Sequence, residues 1–365
     1  MRILYFSRNW TPHDQRFLHA IVDGGHEAWL LRWENAGRLL PEGELPAKVQ
    51  EALWGEPSLS NLHVVLDRLR PDLLHAGPVD TCGYLAALSG FHPFILMSWG
   101  SDILWDAARY PESRDRARVA LSAADWLICD CREVRHRAAE IAEYPEERTV
   151  TFPWGIDIDR FEKSSSSQPL PQHSGWELAG VVLSMRSWEP IYGVDVAIDA
   201  FALASQSVPS ARLVLAGDGS QAPAVKSRVL HHGLMSRTHL PGRIGPSELP
   251  AYYSAADVYL SCSYSDGSSV SLLEALAAGL PAVVTDIPGN REWIEPEVNG
   301  WLCPAGDKDA FACALAAALN LPSDKRSQMV ERNRALARSR ADWRLHAGAL
   351  QQTYQRAADS YVPSI

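Results

Sequence analysis

The chain has 365 residues, of which 46% are hydrophobic and 21% charged, which is typical of a globular protein and allows two domains of ordinary size. Its net charge of −10 argues against nucleic acid as the main partner, because phosphate backbones require a basic face. The six cysteines form no CxxC pair or His/Cys cluster, so no metal site is predicted. Since the sequence shows neither a signal peptide nor a long apolar run, we expect a cytoplasmic protein.

Short apolar segments alternate with helical patterns along the chain. In the first half, the segments predicted to be strands are residues 2–6, 27–31, 73–75, 94–98 and 126–129. In the second half, they are residues 180–184, 212–216, 258–261 and 282–285. Continuous apolar strands that alternate with helices are typical of parallel sheets covered on both faces. Two such series predict an α/β protein with two doubly wound domains.

A change of pattern separates the two series. Residues 164–175 are rich in serine, proline and glutamine, lack periodicity, and are expected to form an exposed connection. We therefore predict an N-terminal domain at residues 1–160 and a C-terminal domain at residues 161–344. The helical pattern at residues 345–361 is expected to pack back onto the N-terminal domain.

One glutamate is the only charged residue in a mostly apolar helical segment, residues 270–278. A helix that is apolar on all sides is buried, and Gly279 followed by Pro281 ends it. Glu274 is therefore expected in the interior, where an unpaired charge is strongly unfavourable. Its partner is either a structural arginine or a ligand rich in hydroxyl donors, and the neighbouring residues favour the ligand.

The turn before this helix adds a second carboxylate and a site for an anion. Asp266 follows the strand at residues 258–261, and Gly267, Ser268 and Ser269 lead into the helix. Free amide groups at a helix N-terminus favour a negative charge. A diphosphate joined to a ribose and a sugar suits this set, whereas the structural alternative is an N-capping serine with a buried ion pair.

This run resembles the signature of glycosyltransferase family 4, the retaining nucleotide-sugar transferases of GT-B fold. That family shows a glutamate, seven further residues, and then Glu-Ala-Leu/Met-Ala. Here Asp266 is followed after seven residues by Glu274-Ala275-Leu276-Ala277. The resemblance implies two Rossmann-like domains that face each other across a cleft. It also implies that Glu274 binds the ribose hydroxyls of the donor, while Asp266 and the amides of residues 267–269 bind the donor sugar.

Other segments are similar to elements of the same family, most specifically within residues 180–307. The similar segments are residues 152–161, 215–219, 240–253 and 299–307. By this likeness Arg186 binds the donor diphosphate, Gly217 belongs to the donor loop, and Arg243 and Ile244 belong to the base-binding loop. The family's lysine after the arginine is absent, because Tyr192 precedes Gly193, and Arg243 is a candidate replacement.

The N-terminal half departs further from the family. Asn9, Trp10 and His13 follow the first strand, where the family often has two glycines, and we assign them to the acceptor side. Trp99 replaces a histidine of the family's His-Gly-x-Asp loop and is assigned to the same side. Asp102 of that loop is either a catalytic residue, like Arg186 and Asp266, or a helix N-cap.

The residues and the resemblance together predict a retaining, metal-independent glycosyltransferase with a nucleotide-sugar as co-substrate and no further cofactor. They leave open whether the nucleotide is UDP, GDP or ADP. They also leave open whether the acceptor is a glycan, a lipid-linked molecule or a small molecule, and whether the protein contacts a membrane peripherally. Two alternatives are a nucleotide-sugar epimerase of the same fold and a non-catalytic nucleotide-sugar-binding subunit.

Overall fold

The computed structural model describes residues 1–34, 45–162, 176 and 180–361. The connection predicted at residues 164–175 lies outside the described residues. The chain forms two compact units, each with its own core. Unit 1 consists of Met1–Trp154 together with the chain from Trp343 onward, and unit 2 consists of Gly155–Asp342.

Unit 1 contains a parallel sheet of seven described strands in the order β3-β2-β1-β4-β5-β6-β7. The strands are β1 (Arg2–Ser7), β2 (Glu27–Arg32), β3 (Val49–Ala52), β4 (Leu73–Ala76), β5 (Phe94–Met97), β6 (Trp126–Cys129) and β7 (Thr149–Thr151). The chain starts in the middle of the sheet, builds one side, and then returns to build the other. This is the strand order of the Rossmann fold, with one strand added at the end.

Unit 2 repeats this topology with six described strands in the order β10-β9-β8-β11-β12-β13. They are β8 (Val181–Met185), β9 (Arg212–Ala216), β10 (Thr238–Gly242), β11 (Val258–Ser261), β12 (Ala282–Thr285) and β13 (Gly300–Cys303). The direction of winding reverses between β8 and β11, where ligands bind in sheets of this type. The two doubly wound sheets predicted from the sequence are thereby confirmed.

Helices cover the two sheets. The α-helices are α1 (Pro12–Asp23), α2 (Leu59–Leu69), α3 (Tyr84–Leu88), α4 (Ala107–Arg109), α5 (Pro111–Ala123), α6 (Arg132–Ala142), α7 (Ile158–Glu162), α8 (Val194–Ser207), α9 (Ala222–His231), α10 (Leu249–Ser254), α11 (Val270–Ala278), α12 (Pro288–Arg291), α13 (Lys308–Leu319), α14 (Ser323–Arg340) and α15 (Trp343–Ser360). Further helical turns of non-α geometry are Val79–Gly83, Asp102–Asp106, Glu146–Arg148 and Pro190–Tyr192. Helix α15 belongs to unit 1, where Leu350 and Tyr354 are buried.

The described part of the chain contains no helix with both the length and the apolar character needed to cross a membrane. All six cysteines are free thiols, and Cys313 is exposed while the other five are buried.

Candidate functional site

In unit 2, the predicted donor-binding residues follow the carboxyl ends of neighbouring strands. Arg186 follows β8, Gly217 follows β9, Arg243 follows β10, and Asp266 lies in the loop between β11 and α11. All four strands are parallel, so these residues lie at the same end of the sheet, beyond the carboxyl ends of its strands. Arg186 and Asp266 flank the point where the winding reverses.

Arg186 is buried, with only 9% of its surface exposed. Its Nη1 donates hydrogen bonds to Oγ of Ser269 at 2.7 Å and to Oγ of Ser271 at 3.0 Å. Its Nη2 lies 2.6 Å from Oδ2 of Asp266, and its guanidinium carbon lies 4.1 Å from the ring centroid of Tyr192. The loop before α11 and the first turn of that helix thus hold the guanidinium in one orientation.

The charge of Arg186 is secure despite its burial. Burial alone lowers the pKa of a guanidinium, but the nearby carboxylate of Asp266, followed by the phenol groups of neighbouring tyrosines, outweighs that effect, and the pKa of Arg186 is raised. Its Nε is buried and has no hydrogen-bond partner within the described ranges. A permanently charged guanidinium, with an Nε–H donor left unpaired by the described residues, therefore lies beside the N-terminus of α11.

Glu274 lies on the same helix but is only partly buried, which corrects the expectation of a carboxylate deep in the interior. Helix α11 is buried except along one stripe, Val270, Glu274 and Ala278, whose members are four residues apart and share a face. The sequence pattern missed this stripe because two of its three residues are apolar. Glu274 therefore has partial access to solvent while the rest of the helix is core.

A partner of Glu274 that sequence analysis missed is Tyr253, on α10. The Tyr253 hydroxyl donates to Oε2 of Glu274 at 2.8 Å and also lies 3.2 Å from the backbone oxygen of Ser271. Burial first, and then the charge of Glu274, raise the pKa of Tyr253 well above its ordinary value, so the phenol stays protonated and donates. A neutral hydroxyl thus orients the carboxylate.

The loop before α11 is packed tightly. Ser268 and Ser269 are buried, and Ser269 makes no side-chain capping bond, because its hydroxyl accepts from Arg186 instead. A Cβ placed on Gly289 would lie 2.3 Å from the backbone oxygen of Gly267 and 2.6 Å from that of Asp266. Gly289 therefore lets the short helix α12, which follows β12, lie directly against the loop before α11.

Arg243 and Ile244 lie after β10, which is the described edge strand on this side of the sheet. Arg243 is exposed and Ile244 is partly buried. A hydrogen bond of 2.8 Å from the Gly217 amide to the Gly242 oxygen joins this loop to the one after β9. Two strand spacings, roughly 10 Å, separate β10 from the strand that precedes Arg186.

In unit 1, the predicted acceptor-side residues follow β1 and β5. Trp10 is buried, and Asn9 donates to Oε2 of Glu34 at 2.9 Å. The ring of His13 lies edge-on to that of Trp99, with a centroid separation of 6.0 Å. The structure thus brings His13 and Trp99 together.

His13 is held in its neutral form. Its Nδ1 lies 3.0 Å from Nη2 of Arg16, an obligatory donor, so this nitrogen accepts. Burial and then the positive charge of Arg16 lower the pKa of His13 to about 3. The proton of the neutral ring is therefore on Nε2.

Asp102 is fully occupied by its own loops. Its carboxylate accepts hydrogen bonds from the amides of Val79, Trp99 and Ile103 and from the hydroxyl of Ser98, at 2.7–3.1 Å. Burial raises the pKa of Asp102 to about 6 in spite of these donors. Asp102 thus connects the loops after β4 and β5.

Among the residues that the structure describes, no cluster of three or more histidine, cysteine, aspartate or glutamate side chains could hold a metal ion.

Two family models match the sequence. "Glycosyl transferases group 1" matches residues 172–336, and "Glycosyl transferase 4-like" matches residues 49–131. Among curated proteins, the chain is 28% identical over 212 residues to alpha-monoglucosyldiacylglycerol synthase of Streptococcus pneumoniae, which covers 56% of this chain and 47% of that protein. It is 29% identical over 214 residues to phosphatidyl-myo-inositol mannosyltransferase of Mycobacterium leprae, covering 58% of this chain and 54% of that protein. The chain thus spans about half the length of these relatives.

Solved structures resemble the whole chain. Sucrose-phosphate synthase from Thermosynechococcus elongatus superposes with a TM-score of 0.82 at 16% identity, covering 99% of this chain and 100% of that one. Anabaena HepE in complex with UDP-glucose superposes with a TM-score of 0.80 at 19% identity, covering 98% and 100%. At these identities the likeness shows the fold alone, which is GT-B.

Proposed function

Because the chain belongs to glycosyltransferase family 4 and has the GT-B fold, we propose that it transfers a sugar from a nucleotide-sugar to an acceptor hydroxyl. We further propose that the transfer retains the anomeric configuration and needs no metal ion. Protein groups alone would stabilise the negative charge on the leaving diphosphate.

The observation that carries this proposal is the arrangement of Arg186 and Glu274 around the first turns of α11. Both are tied to Ser271: Arg186 donates to its hydroxyl, and the Tyr253 hydroxyl that holds Glu274 also reaches its backbone oxygen. A cation, a helix N-terminus and a carboxylate thus lie along one short segment. That set is complementary to a diphosphate joined to a ribose diol.

The chemistry follows from where charge develops. When the bond between the sugar and the diphosphate breaks, negative charge grows on the diphosphate, and a fixed guanidinium stabilises it in the transition state. Loss of Arg186 is expected to reduce kcat about 10²–10³-fold, as for other single donors that face a developing anion. Retention is proposed to occur by attack on the face that the leaving group vacates, with positioning supplying part of the rate.

We propose a UDP-, GDP- or ADP-linked donor, with UDP-sugars as the first to test because the HepE structure holds UDP-glucose. For the acceptor we propose a glycan, a small molecule or a lipid-linked molecule. The names of both curated relatives above contain a lipid. Peripheral membrane contact has less support, because Arg116 and Arg118 of α5 already pair with Glu112 and Asp115. A cytoplasmic location stays a prediction.

The test is a thermal-shift series with UDP, GDP, ADP and their sugars on the wild type and on Glu274→Ala. One of the nucleotides, at a free concentration about 100 times its Kd, should raise the Tm of the wild type by several degrees. Glu274→Ala should lose that shift. Glu295→Ala is the matched control, since Glu295 is an exposed glutamate of the same unit, paired with Arg332, and should respond as the wild type does.

Incubation with the stabilising donor then identifies the reaction. Transfer to an added acceptor, or slow release of the nucleoside diphosphate and free sugar, supports the transferase. A new sugar isomer would instead identify an epimerase, and binding without turnover a non-catalytic subunit. Absence of a shift with every nucleotide would overturn the proposal.

A further inference from the structure

Asp266 faces Arg186 in a setting where neither group is fully satisfied. The two side chains are 18% and 9% exposed, and Nη2 lies 2.6 Å from Oδ2. Within the described residues, Oδ2 of Asp266 has no aligned hydrogen-bond donor and Nε of Arg186 has no acceptor. The contact is therefore an ion pair that leaves hydrogen-bonding capacity on both partners.

The remaining surroundings restrict how an anion could reach Arg186. Nη1 is engaged by Ser269 and Ser271, and the ring of Tyr192 lies against the guanidinium. Nη2 and the buried Nε are therefore the donors of the guanidinium that the serine hydroxyls leave unengaged, and Nη2 already faces Asp266. A diphosphate that binds this guanidinium must either displace the carboxylate of Asp266 or share the guanidinium with it.

The backbone around Asp266 limits its freedom to turn away. The backbone oxygens of Asp266 and Gly267 lie so close to Gly289 that even a Cβ there would collide with both. Aspartate also has one methylene less than glutamate, so its carboxylate stays near its own main chain. Two negative groups then compete for one buried cation in a region of low dielectric, where like charges repel strongly.

We propose that Asp266 is the built-in counter-ion of Arg186: a positioning residue that holds the guanidinium in the empty site and competes with the donor diphosphate for it. This inference deepens the proposed function and rests on it for the identity of the donor. It assigns Asp266 to the diphosphate side of the site, in place of the sugar-binding role that the family resemblance implies.

The test compares ligands with and without a sugar. Calorimetry would give the Kd of inorganic pyrophosphate, of the nucleoside diphosphate and of the nucleotide-sugar for the wild type and Asp266→Asn. Removing the competing charge should tighten all three about tenfold and leave the ratio between nucleotide and nucleotide-sugar unchanged. If Asp266 instead binds sugar hydroxyls, the nucleotide-sugar alone would weaken, which would overturn the inference.

Asp199→Asn is the matched control. Asp199 is 13% exposed, its Oδ2 also lies 2.6 Å from an arginine, Arg228, and it is on α8 of the same unit. Its variant should bind all three ligands as the wild type does. Equal tightening in both variants would show a general charge effect and contradict the proposal.

Two additions keep the result interpretable. Asp266→Ser is a second neutral variant in case Asp266→Asn fails to fold, and thermal unfolding checks both. Pyrophosphate separates this inference from the proposed function, because it has neither base nor sugar. Tighter pyrophosphate binding by the neutral variants, with no nucleotide bound by any form, would support the counter-ion and reject the nucleotide. Unchanged pyrophosphate binding in these variants, alongside normal nucleotide binding, would reject the counter-ion and support the nucleotide.

Discussion

At the scale of single residues, the site depends on hydroxyl groups that orient charged ones. Tyr253 holds Glu274, while Ser269 and Ser271 hold Arg186. The hydroxyl of Tyr259 lies 2.7 Å from that of Ser271 and extends the network into the core. The orientation of each charged group is thus fixed before a ligand binds, which lowers the entropy lost on binding.

We expect Tyr253→Phe to weaken binding of the nucleoside diphosphate about tenfold. The substitution keeps the ring in the core and removes the donor to Glu274, and hydrogen bonds to charged groups contribute about 1.5–3 kcal/mol. Calorimetry on the two proteins would measure the change. Tyr252→Phe, at the adjacent and less buried tyrosine, is the control and should bind normally. Equal affinity of Tyr253→Phe and the wild type would show that Glu274 is oriented by other contacts.

At the scale of elements, the sequence predicts the centre of each sheet and misses its edges. The predicted strands are all present with each end within one residue, and the helix at residues 270–278 has the predicted bounds. The strands that were missed, β3, β7, β10 and β13, are the edge strands of the two sheets. Edge strands are covered by fewer neighbours and include polar residues, as in Val-Gln-Glu-Ala of β3, so a search for apolar runs does not detect them.

The site shows the same division. Arg186, Asp266 and Glu274 are visible in the sequence because a charged residue beside a buried strand or helix is unusual. Tyr253 and Gly289 are not, because their roles come from contacts between segments far apart in the chain. A tyrosine in a short helix and a glycine after a proline have many ordinary explanations. Only the packing of α10 against α11, and of α12 against the loop before α11, distinguishes them.

We expect Gly289→Ala to disturb the loop before α11 and weaken nucleotide binding. The added methyl group meets the backbone oxygens of residues 266 and 267, which are not free to rotate away, and overpacking of this kind costs about 1–3 kcal/mol of stability. Chemical denaturation and titration with the nucleotide would measure both effects. Gly348→Ala is the control, since a Cβ there meets nothing within 4 Å, and it should be neutral or slightly stabilising. Unchanged nucleotide affinity in Gly289→Ala would contradict the expected coupling between α12 and the loop before α11.

At the scale of the whole molecule, the chain builds the same topology twice and then returns to the first unit. Helix α15 completes unit 1 with a buried polar contact, in which the Tyr354 hydroxyl lies 2.9 Å from Nδ1 of His75 on β4. His75 is surrounded by the rings of Tyr5, Phe17 and Tyr354. The attachment of the last helix is therefore coupled to the protonation of a buried imidazole.

Unit 1 is expected to lose stability as the pH falls below neutrality. Burial lowers the pKa of His75 from 6.5 to about 3, so the folded state binds a proton less readily than the unfolded chain does. The stabilisation is therefore fully present above pH 6.5 and is lost as the pH falls toward 3, with a slope of at most about 1.4 kcal/mol per pH unit from this group. Urea denaturation of the full chain at several pH values between 7 and 4 would measure the slope.

His75→Phe should be less stable at pH 7, because Tyr354 loses its partner, but its stability should depend less steeply on pH. His63→Phe, which replaces an exposed histidine of the same unit, should keep the wild-type slope. A slope as steep in His75→Phe as in the wild type would assign the acid sensitivity to other groups, among which His13 also has a pKa lowered to about 3.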